Sequence, residues 1–149
     1  MERLLEKINL LETNYKYSSR VYGYYNTILS IPSIMITSLS GIFSFISTSD
    51  FVNPETKNYC TVVVAVFITL SSMLQTINTS CEFNVRRLKF AEAAQAFNML
   101  HDRVYFEIES PNEPDFMIKM EEDVEKIKNH CKFLPYEKPK IIQNGYLKL

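Results

Sequence analysis

His130 and Cys131 stand side by side in this 149-residue chain, an arrangement that resembles half of a zinc site. A closed zinc site needs four ligands. His101, Cys60 and Cys81 lie at no ligand spacing from that pair, so it reads as a surface histidine beside a core thiol. The three glycines, Gly23, Gly41 and Gly145, build no phosphate-cradling loop. Glu121-Glu122-Asp123 has the pattern of a solvated helix face. No residue qualifies as catalytic, cofactor-binding or metal-binding, so the chain reads as a non-enzyme without a cofactor. A net charge of −1 gives a nucleic-acid partner no support.

The remaining chemistry is that of hydroxyls. Asn26, Ser30, Ser33, Thr37, Ser40, Ser44 and Ser47 recur at alternating intervals of four and three, a heptad stripe along one helix face. Thr61, Ala65, Thr69, Ser72, Thr76 and Thr79 form a similar row, with Gln75 and Asn78 adjacent. Small and hydroxylated residues let helices approach and hydrogen-bond in an apolar medium. The same stripe in an oligomer would line a water-filled path. Neither segment holds a charged side chain, which disfavours a proton relay or a charge-gated filter.

The elements that must position these stripes are two charge-free runs, Val21–Ser49 and Asn58–Cys81. A helix of about 20 residues crosses a hydrocarbon layer of roughly 30 Å, and either run is long enough. The chain is 22% charged and 46% hydrophobic, ordinary for a soluble protein, yet only Asp50, Glu55 and Lys57 interrupt the stretch from Val21 to Cys81. A soluble core helix carries a polar outer stripe of charges, and these runs carry none. The expected fold is therefore an all-α membrane protein: a two-span transmembrane helical hairpin whose long helices extend into a cytoplasmic helical bundle. Arg3, Lys7, Lys16 and Arg20 precede the first span and Arg86, Arg87 and Lys89 follow the second, against Lys57 alone in the loop. That bias places both termini on the cytoplasmic side. The expected location is a membrane crossed more than once.

The segments divide as follows. Residues 1–25 are an amphipathic helix with Leu4, Leu5, Ile8, Leu11, Tyr15, Tyr22 and Tyr25 on one face, running into a first span over 26–48. Pro32 lies early in that span and removes a backbone donor. Residues 49–57 form an outer loop, with Asn53 the N-cap and Pro54 the first position of a second span over 58–81. No glycine or proline interrupts the chain from there to Pro111, so one helix from Pro54 to Ser110 is conceivable. Residues 82–134 read as a helical hairpin folded at Ser110–Asp115. Its stripes are Phe90, Ala94, Phe97, Leu100, Val104 and Ile108, then Met117, Met120, Val124, Ile127, Cys131 and Leu134. Residues 135–149 are a tail without periodicity. The cysteines are too few and scattered for a disulfide framework and read as free thiols. The juxtamembrane cations favour anionic lipid by about 1 kcal/mol each.

In this order the pieces resemble the SLATT family of two-transmembrane effector domains over roughly residues 10–142. The resemblance rests on IPSIMITSLSGIFSFIS, on the segment ending SSMLQTINTSCEFNVRRLKFAEAAQAFNML, and on NHCKFLPYEKP. It is greatest to the stand-alone members of large DNA viruses. The resemblance implies a membrane-perturbing or pore-forming effector, although the chain has no nucleotide-sensing domain of the kind that accompanies bacterial members. The expected function is thus an oligomeric channel-like effector, with Asn26, Ser30, Ser33, Thr37, Ser40, Ser44 and Ser47 lining the pore or packing helices. The alternative is a structural protein of a viral inner membrane. The expected partners are the lipid bilayer, further copies of the chain and other membrane or capsid proteins. A viral origin would place it in a host membrane or the virion's inner membrane.

Overall fold

The computed structural model describes residues 2–109 and 115–139, which form four helices: α1 (Glu2–Thr48), α2 (Pro54–Ser80), α3 (Phe83–Glu109) and α4 (Phe116–Cys131). Among the described residues there is no strand. The expected turn at 110–114 and residues 140–149 of the tail lie outside the described residues. Two compact units emerge, one from residues 22–85 and the other from the described parts of 1–21 and 86–149.

The second of these is a three-helix bundle. Spacings of three and four place Leu4, Ile8 and Tyr15 on one face of α1, and Phe90, Ala93, Ala94, Phe97, Leu100 and Val104 on one face of α3. On α4 they align Phe116, Met120, Val124 and Cys131. All of these are buried. The Tyr15 ring lies 5.8 Å from Phe90 and 5.2 Å from Phe97, centroid to centroid. α4 runs antiparallel to α3, with Asp123 3.9 Å from Arg103 and the Cys131 thiol 3.7 Å from the carbonyl of Lys89. Each fully buried large apolar side chain contributes roughly 1.5–3 kcal/mol.

The helix pair expected over 82–134 therefore has a third member, the first turns of α1, which buries the stripe of α4 within a single chain. Three stripe positions differ from expectation. Ile108 and Met117 are exposed, and Phe116 takes the inner position that the a/d pattern assigned to Met117. Leu134 is 93% exposed because α4 ends three residues earlier, where Lys132 enters the left-handed region at φ 58° and its N–H closes on the carbonyl of Lys128. The chain then returns along α1. The N–H of Tyr136 donates to Ser18 Oγ at 2.7 Å, and that of Lys138 to Asn14 Oδ1 at 3.0 Å. Phe133 covers Phe90 at 6.0 Å, and the Arg86 guanidinium lies 5.0 Å above its ring.

The other unit is an apolar hairpin of residues 22–48 of α1 against α2. Asn53 stands at the N-cap with Pro54 behind it, and the carbonyl of Asn53 accepts the Lys57 N–H at 3.0 Å. α1 and the run Pro54–Ile108 each hold an 18-residue window long and apolar enough to cross a membrane. Only 11% of either window is buried, whereas the core helix of a soluble protein would be mostly covered.

The run from Pro54 to Ser110, long enough for one helix, is divided at Cys81–Glu82, between the segments 58–81 and 82–134. Glu82 adopts φ 52°, and its N–H turns back to the Thr79 carbonyl at 3.1 Å. No glycine or proline marks the site. Phe83 immediately beyond it sits 6.2 Å from Tyr22 and 5.7 Å from Tyr25, an aromatic cluster to which the break delivers its ring.

Candidate functional site: the polar seam of the hairpin

In the hairpin the hydroxyl stripe of α1 meets α2. Ser33 and Ser40 are 3% and 5% exposed, and Ser71 opposite them is 5% exposed. Ser33 Oγ lies 3.0 Å from Ser71 Oγ, and Ser71 Oγ lies 2.7 Å from Thr37 Oγ1. Thr37 Oγ1 also lies 2.8 Å from the Ser33 carbonyl. Each hydroxyl has one proton, and one assignment uses every proton once. Ser33 donates to Ser71, Ser71 donates to Thr37, and Thr37 donates to the Ser33 carbonyl. The three groups form a closed ring across the two helices.

One turn along, Asn78 Nδ2 donates to Ser30 Oγ at 3.2 Å. Asn78 Oδ1 is buried and accepts no hydrogen bond among the described residues. Ser40 donates to the Ile36 carbonyl at 2.9 Å, so its buried hydroxyl is satisfied within α1. Ser47 turns to the Ser44 carbonyl at 2.8 Å. Asn26 is half-buried and Ser44 is exposed. Of the stripe read from the sequence, Ser30, Ser33 and Thr37 thus bond across to α2.

The partner face of α2 is Cys60, Val64, Phe67, Ser71, Leu74 and Asn78, all buried or half-buried. Phe67 meets Phe43 edge to face at 6.0 Å. The hydroxyl row of α2 singled out above is a different face, since Thr61, Ala65, Thr69, Ser72, Thr76 and Thr79 are all exposed. Thr61, Thr69 and Thr76 spend their protons on the carbonyls of Lys57, Ala65 and Ser72. Ser71 escaped the sequence reading because it stands in a mostly apolar row. The four-and-three spacing of Cys60, Val64, Phe67, Ser71, Leu74 and Asn78 is the signal that finds it.

A ring of neutral hydroxyls hydrogen-bonds neighbouring helices together in an apolar medium. In the bundle, burial pushes the Cys131 thiol above the usual thiol range, reinforced by Glu92 and opposed by a backbone hydrogen bond from Phe133 and by Lys89. Burial likewise raises the Tyr15 phenol, with smaller contributions from Cys131 and Glu125. Both groups are neutral members of a core. Among the described residues no cluster of His, Cys, Asp and Glu is able to hold a metal ion. No family model, no curated protein and no solved structure matches this chain.

Proposed function

We propose that the chain is a membrane-anchored scaffold: the apolar hairpin crosses a bilayer twice, and the three-helix bundle is the domain it holds at the cytoplasmic surface for other proteins to use. The observation that carries this reading is the closed Ser33–Ser71–Thr37 ring, which commits the centre of the α1 stripe to packing within one hairpin. The low burial of both apolar windows and the excess of Lys and Arg outside them support insertion with both ends on one side. Conductance of liposomes holding the purified protein is the test. The expected result is no ion flux above that of empty vesicles at any lipid composition.

The outward row of α2 favours a second reading, and it is the one that the resemblance to SLATT effectors implies. Thr61, Thr69 and Thr76 are exposed, and an oligomer built on that face would enclose a small-residue lumen. Homo-oligomerisation rests on this face, because the α1 and α4 stripes find partners inside the chain. Steady leak, abolished by Thr69→Leu and Thr76→Leu with assembly intact, would establish the pore and sink the scaffold.

A further inference from the structure

On α1 the exposed Lys16 and Arg20 lie one turn apart and form the ridge between two open grooves. One, of about 480 Å³, lies against α3, where Ala91 and Ala94 make room beside the amides of Gln95 and Asn98. The other, of about 260 Å³, lies towards the returning C-terminal segment and takes in Lys138. Glu12 lines both, so three cations share the surface with one carboxylate. Among the described residues none of Lys16, Arg20 and Lys138 makes an ion pair.

We propose that Lys16, Arg20 and Lys138 seat the phosphate of an anionic phospholipid headgroup. A guanidinium fork matches two phosphate oxygens, and two ammonium groups beside it supply further donors. The occupant is a lipid because Arg20 is the last charged residue before the charge-free run that opens at Val21. A cation at that point of a continuous helix enters the headgroup layer. Exposed cations hold a free anion weakly in salt water, whereas a leaflet presents phosphates at high local density. The inference rests on the membrane-anchor reading above.

The test reconstitutes the full chain into phosphatidylcholine vesicles with or without a minority of phosphatidylglycerol. The lipid that stays bound after mild detergent extraction is then identified by native mass spectrometry. Phosphatidylglycerol is expected on the wild type in excess of its share. Lys16→Gln with Arg20→Gln should cut that preference roughly thirtyfold, on the order of fivefold per cation. Lys126→Gln with Lys128→Gln on α4 should leave it unchanged. Inorganic phosphate added in excess should not displace the lipid. Equal retention of both lipids by the wild type, an unaltered preference in the Lys16/Arg20 variant, or displacement by phosphate would each overturn the headgroup site while leaving the anchor standing. Failure of the protein to float with either vesicle would overturn the anchor and this inference with it.

Discussion

Ser33 and Ser71 do at residue scale what a leucine pair does in a soluble coiled coil, by another mechanism. In the bilayer proposed for the hairpin, helix contact would bring no hydrophobic gain, and close approach and hydrogen bonds would hold the pair. A double-mutant cycle of Ser33→Ala and Ser71→Ala, read by unfolding in mixed micelles, should give a coupling of about 0.6 kcal/mol, the typical value for such bonds. A coupling indistinguishable from zero would mean that the hydroxyls are incidental to packing. The buried thiol and phenol of the bundle make a prediction of opposite character. Their folded-state affinities for protons are raised, so above a thiol pKa of about 8.5 the unfolded chain ionises before the folded one does. The unfolded state then binds fewer protons, and stability falls as pH rises past that point. Thermal unfolding across pH 7–10 should show the decline, and Cys131→Val should remove its first part. A midpoint that is flat over that range contradicts the assignment.

At the scale of elements, the junction of α2 and α3 deserves its own measurement. Nothing local ends α2, since Cys81 and Glu82 are ordinary helix residues, yet Glu82 sits at φ 52°. A non-glycine residue there bears about 1–2 kcal/mol of strain, and a glycine would relieve it at an unfolded-state entropy cost of roughly 0.5–1 kcal/mol. Glu82→Gly should therefore raise stability slightly, by about 0.5 kcal/mol, and Glu82→Val should lower it. If both variants destabilise alike, the left-handed turn is not the native one. The stripes of α3 and α4 were legible in sequence because Phe90, Phe97, Leu100, Val104, Met120 and Val124 follow helical periodicity, a property of one segment read alone. The turn at Glu82 was not, because no residue there marks it, and the Phe83, Tyr22 and Tyr25 contacts beside it join positions far apart in the chain.

For the whole molecule, the proposed two-span anchor predicts from charge placement a topology that labelling measures. In a background lacking the native cysteines, Glu6→Cys and Val52→Cys should label from opposite faces of a sealed vesicle. Glu6→Cys and Lys138→Cys should label from the same face. Labelling of Val52→Cys and Glu6→Cys from one face would break the two-span arrangement. The bundle makes this test practical, because Glu6 and Lys138 are both exposed and outside its core.

The sequence by itself determined what each segment can bury. Two charge-free runs, a loop capped by Asn53 and Pro54, and the helical stripes of α1, α3 and α4 follow from local composition and spacing, which need no knowledge of neighbours. Only the tertiary structure decided which faces meet. The Asn26–Ser47 stripe suits a lumen and a packing seam equally, and of its members Ser30, Ser33 and Thr37 meet α2 because Ser71 and Asn78 lie opposite them. The α4 stripe asked for a helical partner and received two, because α1 brings Ile8 and Tyr15 to the same core. Buried Ser18 shows the reason most directly. A serine in an apolar row reads as a defect until the returning chain sets the Tyr136 N–H 2.7 Å from it, and a hydrogen-bond partner 118 residues away leaves no trace in local spacing.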